Sequence, residues 1–132
     1  MDRKKAIAFV EGYGRTWQAW DYAGFADLFT DDAIYVEHPT DETVVGRDQL
    51  LDYIRREHEA EGVANVRMGF PIVEGENVVG EFWTTISKPR ETATLIGCFI
   101  AQLDEATGRC HHFRQYWHEV DTHVAPYDGW GE

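Results

Sequence analysis

A change in hydrophobic period at Gly62 constrains the fold of this chain more than any other feature of its sequence. Before Gly62, apolar residues recur at steps of three and four positions, which is typical of helices that bury one face. After it, the chain changes to segments with the period and composition of strands. Helices followed by a run of strands indicate the α+β class, in which the helices pack on one face of a mostly antiparallel sheet.

The first half of the chain predicts three helices and a short strand. Asp21 can cap the second helix, Pro39 ends the strand, and Gly46 precedes the third helix. The predicted helices are Arg3–Trp20, a short segment after Asp21 that carries Phe25, Leu28 and Phe29, and about Arg47–Glu59, and the strand is Ala33–His38.

The second half predicts two hairpins with turns at 74–77 and 104–108. Pro71 indicates a bulge or an edge position in the first strand. Three helices on a curved sheet leave a concave space, where ligands bind by default. We therefore expect one domain, 1–132, built as a cone-shaped barrel of three N-terminal helices on a curved, mostly antiparallel sheet. The predicted strands of the hairpins are Val63–Val73, Val78–Ser87, Thr92–Leu103 and Arg109–Val120.

The charge balance narrows the possible partners. With 24 acidic and 12 basic residues, the chain has a formal charge of −12 and repels phosphate backbones, so we expect no nucleic acid partner. No apolar run approaches the roughly 18 residues that span a bilayer. The apolar stretch near the first residue is too brief for a signal peptide. These patterns predict a soluble, cytoplasmic protein without membrane association.

The sequence predicts neither a metal nor a cofactor. Cys98 and Cys110 have the spacing of neither a zinc site nor a redox motif. His112 and His118 lie about 20 Å apart if they share one strand, which is too far for a common metal ion. No other set of His, Asp and Glu residues has the spacing of metal ligands.

The last predicted strand carries the strongest functional signal. With a period of two, one of its faces is polar and titratable, and the other is rich in aromatic residues. The two faces are His112, Arg114, Tyr116 and His118, and Phe113, Gln115, Trp117 and Glu119. A covered row of proton-transfer and anion-binding side chains is typical of a cavity wall. We therefore predict that the polar face lines the cavity.

The aromatic face of this strand would then point away from the helices. Exposed aromatic side chains favour a partner, so we predict a homodimer through the outer sheet face with Phe113 and Trp117 in the interface. A shift of the strand by one position would exchange the two faces. The polar row would then lie outside, and its catalytic interpretation would fail.

Two stretches, Trp17–Tyr35 and Phe113–His118, carry a family resemblance. Together with Gly46, Gly97 and Gly108, they resemble the nuclear transport factor 2-like superfamily in its SnoaL-like branch. The resemblance covers nearly the whole chain and implies the cone-shaped fold. It implies no single reaction, because this fold hosts isomerases, cyclases, dehydratases, epoxide hydrolases and binding modules.

The resemblance also suggests roles for residues of the last strand. In the limonene epoxide hydrolase and polyketide cyclase branches this strand often reads Arg-x-Tyr-aromatic-Asp, with the Asp as base. Here Arg114 and Tyr116 match, and His118 stands in the position of the Asp. Epoxide hydrolases also need an Arg-x-Asp pair on an earlier strand, which residues 80–83 lack. The resemblance therefore argues against epoxide hydrolysis.

Ketosteroid isomerase offers a second comparison. Its oxyanion-stabilising Tyr aligns with Tyr13, and its base aligns with Glu37 without a gap, or with His38 if the following Pro is matched. Its second acidic residue has no counterpart in 95–103, which argues against ketosteroid isomerisation as such. A reaction like that of scytalone dehydratase is compatible with the resemblance.

From these comparisons we predict His118 as general base or acid, with Arg114, Tyr116 and Tyr13 stabilising negative charge on a substrate. Each has a structural alternative: a rim histidine, an Arg114–Glu81 ion pair, and tyrosine hydroxyls bonded to the backbone. The predicted ligand contacts are Trp17, His38, Glu81, Trp83 and His112.

Two functions are compatible with this site. The first is a cofactor-independent enzyme that isomerises, dehydrates or cyclises a polyketide- or terpenoid-like oxygenated ring. The second is a dimeric, non-catalytic module that binds a small molecule through the same polar side chains.

Overall fold

The computed structural model describes all 132 residues, and its elements follow the predicted change from helix to strand at Gly62. The expected α+β class is confirmed, with helices packed on a curved, open sheet. None of the three helices is both long and apolar enough to cross a membrane. The elements are α1 (Arg3–Ala19), α2 (Tyr22–Ala26), β1 (Phe29–Val36), β2 (Thr43–Val45), α3 (Arg47–Glu61), β3 (Val63–Met68), β4 (Ile72–Glu74), β5 (Asn77–Lys88), β6 (Glu91–Leu103) and β7 (Cys110–Val120).

Capping residues set the bounds of the first two helices. Asp2 and Asp21 each accept a hydrogen bond from a backbone N–H of the turn that follows, which satisfies a donor that the helix leaves free. Trp20 adopts a left-handed conformation (φ 51°) and ends α1. Its Nε1–H donates to the carbonyl of Gly62, so the end of α1 is tied to the end of α3.

The strands form one sheet in the order β2-β1-β7-β6-β5-β3, with β4 also paired to β5. Only β1 and β7 are parallel; the other pairs are antiparallel. The predicted strand Val63–Val73 is divided into β3 and β4 by the segment 69–71, where Pro71 lies. The short edge strand β2 was not predicted, because three residues give too little periodicity.

The two faces of β7 are exchanged relative to the prediction. Phe113 is fully buried and stacks on Tyr35 and Tyr13, with ring centroids 4.5 and 5.4 Å apart. Gln115 is also buried, whereas Tyr116 on the opposite face is 43 % exposed. The prediction that the polar row lines the cavity is therefore wrong. Burial of an aromatic side chain gains about 2 kcal/mol, whereas burial of a charged side chain without partners costs free energy.

The prediction that Phe113 and Trp117 lie in an interface on the outer sheet face is likewise wrong. Phe113 belongs to the core, and Trp117 faces the cavity between the helices and the sheet. Neither ring is available on the outer face. Any contact between two copies through that face must use the other side of β7.

The C-terminal segment after β7 covers part of the outer sheet face. Trp83 donates its Nε1–H to the carbonyl of Val124 at 2.7 Å, and Val124 donates its N–H to Thr94 Oγ1 at 3.0 Å. The ring of Trp130 packs edge-on against Trp83 with centroids 5.7 Å apart. The tail thus lies along the outer face of the sheet, and it buries Trp83 away from the cavity.

Candidate functional site

A cavity of about 370 Å³ opens between the helices and the inner face of the sheet. Its deeper walls are aromatic rings that are almost completely buried, and its rim carries partly exposed acidic side chains. The buried rings are Tyr13, Trp17, Phe25, Tyr35, Tyr53 and Phe82. The titratable rim residues are Glu37, Asp41, Glu42, Glu57, Glu61, Glu119 and Lys88. The ligand-sized space that the sequence predicts is therefore present.

Three buried tyrosines place hydroxyl groups in the deeper part of the cavity. Tyr13 donates a hydrogen bond to Gln115 Oε1 at 3.1 Å, so α1 and β7 meet at this point. The ring of Tyr35 packs against that of Tyr53, with centroids 5.1 Å apart. Burial raises the pKa of all three tyrosines well above their ordinary values. They are therefore neutral at physiological pH and can donate hydrogen bonds to a ligand oxygen.

Two carboxyl groups one helical turn apart form the acidic wall of the cavity. Glu57 and Glu61 lie on the same face of α3, and Trp17 donates its Nε1–H to Glu61 Oε1 at 3.0 Å. Burial, followed by a hydrogen bond and charge repulsion from Glu57, raises the pKa of Glu61 well above its ordinary value. Glu61 therefore holds a proton near neutral pH.

Glu37 follows β1 and faces the same wall. Burial, followed by charge repulsion from Glu57 and Asp41, raises its pKa to about 7. Glu37 is therefore divided between its two protonation states near neutral pH, which suits a general base or acid. Together with the protonated Glu61, it gives the cavity a proton acceptor and a proton donor at the same pH.

Only two of the predicted site residues line this cavity. Tyr13 and Trp17 do so from α1. The other predicted residues do not line it. Those on the outer face of the sheet are His112, Arg114, Tyr116 and His118 on β7 and Glu81 and Trp83 on β5, and His38 lies just after the end of β1. Their placement around the ligand is therefore wrong. No ion pair joins Arg114 to Glu81 either.

The position of His38 depends on its two aromatic neighbours. Its ring packs against Trp117 and Tyr116, with centroids 5.4 and 6.3 Å away, and its Nδ1 lies 3.0 Å from Thr40 Oγ1. It therefore helps to hold the β1 end of the sheet. Of the two residues that align with the ketosteroid isomerase base, Glu37 is the one that lines the cavity.

The sequence contained a usable signal for some of the residues that prediction missed. Tyr53, Glu57 and Glu61 continue the buried stripe of α3 that begins at Leu50, so helical spacing alone puts them on the inner face. Charged residues at the end of an apolar stripe are candidates for a cavity wall. Glu119 is different, since its placement depends on the strand register and no local pattern decides that.

The sequence model of the SnoaL-like domain matches residues 10–120. The chain belongs to the SnoaL-like domain family. No curated protein matches this SnoaL-like sequence significantly. The match covers every helix and strand except the first turns of α1, so all residues that line the cavity lie within the matched range.

Solved structures show how widely this fold is used. The epoxide hydrolase/cyclase-like enzyme SalBIII, from pyran ring formation in the polyether salinomycin, aligns with a TM-score of 0.77 and 18% identity over 89% of this chain and 93% of its own. An NTF-2 like protein of unknown function from Burkholderia xenovorans LB400 aligns with 26% identity and a TM-score of 0.64. This alignment covers 96% of this chain and 90% of that protein. A protein with a ketosteroid isomerase-like fold from Catenulispora acidiphila, in complex with trimethylamine, aligns with a TM-score of 0.74 and 16% identity. This alignment covers 82% of this chain and 83% of that protein. At these identities the first and third support the fold alone.

Proposed function

We propose that this SnoaL-like protein is a cofactor-independent enzyme that isomerises, dehydrates or cyclises an oxygenated, largely apolar molecule by general acid–base catalysis. The observation that carries the proposal is the group formed by Glu37, Glu57 and Glu61, which faces the tyrosines across one aromatic cavity. Structures of this fold hold ligands as small as trimethylamine. The fold therefore leaves the chemistry to the lining residues.

Each group in the cavity has a chemical role in such a reaction. Ionised Glu37 removes a proton from carbon next to a ligand carbonyl. The ligand oxygen replaces Gln115 as the acceptor for Tyr13, and this hydrogen bond stabilises the enolate that forms. Protonated Glu61 then returns a proton to carbon or to a leaving hydroxyl. The aromatic walls exclude water, which strengthens each of these interactions.

Hydrogen–deuterium exchange tests this proposal without knowledge of the natural substrate. Small ring ketones that bind the protein, as judged by thermal shift, are incubated with it in D2O, and loss of the α-proton signal is followed by NMR. We expect Glu37→Gln to slow exchange about 100-fold or more, because a positioned base contributes roughly 10²–10⁴. The wild-type rate should rise with pH through an apparent pKa near 7, the value of Glu37.

Glu59→Gln is the matched control. Glu59 is exposed on α3 and does not line the cavity, yet the substitution makes the same change in charge. Ketones that bind without any exchange would contradict catalysis and leave a ligand-binding module. Equal exchange by wild type and Glu37→Gln would exclude Glu37 as the base.

A further inference from the structure

The rim of the cavity carries many more acidic than basic side chains. Six acidic side chains line it, against one basic side chain, Lys88. Glu42 is paired with Arg56 at 2.7 Å, and Lys88 with Glu91 at 3.4 Å. No basic residue pairs with the other five acidic residues, which are Glu37, Asp41, Glu57, Glu61 and Glu119.

We propose that the oxygenated ligand of this cavity also carries an amine in its cationic form, with the ammonium group among the acidic side chains of the rim and the apolar body against the aromatic walls. The inference rests on the proposed function, since it names the ligand class for the same cavity.

Two independent features of the lining favour a cation. An ammonium group gains Coulomb energy from acidic side chains that have no basic partner, and its positive charge favours the ionised forms of Glu37 and Glu61. The faces of aromatic rings also attract cations, Trp most strongly. Trp17, Trp20 and Trp117 all contribute to this lining, beside the tyrosines. An anionic ligand would meet repulsion at the rim and find only Lys88 as a partner.

The arrangement suits an organic cation better than a metal ion. The carboxylates come from the segment after β1, from α3 and from β7, and no three His, Cys, Asp or Glu side chains are grouped as a metal site. The walls include twelve hydrophobic residues, which offer contacts to a carbon skeleton and none to a hydrated ion. A bulky ammonium ion can contact carboxylates and rings at the same time.

Three probes with one phenyl body and three charges test the proposal. They are 2-phenylethylammonium, 2-phenylethanol and phenylacetate, and their affinities for the full chain at neutral pH are measured by calorimetry. We expect the ammonium probe to bind at least ~10-fold more tightly than the alcohol, and phenylacetate to bind most weakly.

Substitutions at the rim should change the affinities in opposite directions. Asp41→Asn together with Glu119→Gln should weaken binding of the ammonium probe by roughly threefold to tenfold and leave the alcohol unchanged. Lys88→Gln should strengthen binding of the ammonium probe and weaken binding of phenylacetate. Glu59→Gln, an exposed α3 position outside the cavity, is the control for a general change in net charge and should have little effect.

The outcomes separate this inference from the proposed function. Tighter binding of the alcohol or of phenylacetate would overturn the preference for a cation and leave the cavity as a ligand site for acid–base chemistry. An ammonium preference that is insensitive to all three rim positions would place the probe elsewhere and also overturn the inference. Failure of all three probes to bind at millimolar concentration would count against both proposals.

Discussion

At the scale of single residues, the most informative feature is that folding favours the protonated forms of Glu37 and Glu61. Both lose hydration when the chain folds, and both face other carboxyl groups. No basic side chain of the protein forms an ion pair with either residue, so their ionised forms have no cationic partner within the chain. The resulting loss of stability is typical of sites that tune the pKa of a catalytic carboxyl group, the role proposed for Glu37.

The stability of the protein should therefore depend on pH at these two positions. An acid whose folded pKa lies above its unfolded value stabilises the fold fully below the unfolded pKa, and this contribution is lost as pH rises to the folded pKa. For Glu37 the window runs from about 4.5 to about 7. The free energy of unfolding of the wild type should therefore fall as the pH rises through that window. We expect this fall to be smaller by about 1–2 kcal/mol in Glu37→Gln, after allowance for the partial exposure of Glu37.

Urea unfolding of wild type and variant across the window measures this difference. Glu61→Gln should flatten the fall at higher pH, because the folded pKa of Glu61 is raised as well. Glu59→Gln should follow the wild type. Parallel curves for wild type and Glu37→Gln would show that Glu37 titrates alike in the folded and unfolded chains.

At the scale of secondary-structure elements, the contact between β6 and β7 shapes the cavity wall. Gly97 lies opposite Trp117 in the antiparallel register. A Cβ atom at Gly97 would collide with the carbonyl oxygen of Tyr116 and lie 2.8 Å from the Cα of Trp117. The absence of a side chain lets β7 approach β6 closely where the Trp117 ring enters the cavity.

Gly97→Ala should therefore destabilise the protein by about 2–3 kcal/mol, because the strands must move apart to admit the methyl group. The expected fall in Tm is roughly 6–12 °C for a domain of this size. Cys98→Ala is the control at the next position, on the outer face, with an expected cost below about 1 kcal/mol. Equal losses for the two variants would show that the close approach is no constraint.

At the scale of the whole molecule, the outer sheet face is divided into a covered and an uncovered part. The tail covers the part around Trp83. The uncovered part presents Tyr116, 43 % exposed, and Ile34, 38 % exposed, beside Ile96 and Ile100. Because Phe113 and Trp117 lie on the inner face of the sheet, we propose that a homodimer uses this uncovered part instead.

Tyr116→Glu should weaken such a dimer by at least ~30-fold, as for removal of a central aromatic contact. Size-exclusion chromatography with light scattering across a dilution series measures the change. Val63→Glu is the matched control, since Val63 is 71 % exposed but lies on the edge strand β3. A wild-type protein that stays monomeric at high concentration would contradict the proposal.

Local patterns determined the elements of this protein and its class. Each of these patterns extends over only a few residues, so it can be recognised in the sequence without knowledge of the fold. Examples are the cap at Asp21, the helical stripe through Tyr13 and Trp17, and the turn at 104–108. Tyr13, which was predicted from the resemblance to ketosteroid isomerase, lies on this stripe and lines the cavity beside Trp17. The α+β arrangement follows, because helices and strands with one apolar face must cover each other.

Only the tertiary structure decided which face of β7 meets the helices and which carboxyl groups meet each other. The face with Phe113 and Trp117 is the more apolar one, but its position is decided by the burial of rings such as Phe113 against Tyr35, which belong to distant parts of the sequence. A shift of one residue would exchange the two faces of the strand. Glu37 and Glu61 acquire their chemistry in the same way, since burial and repulsion exist only once β1 and α3 share a cavity.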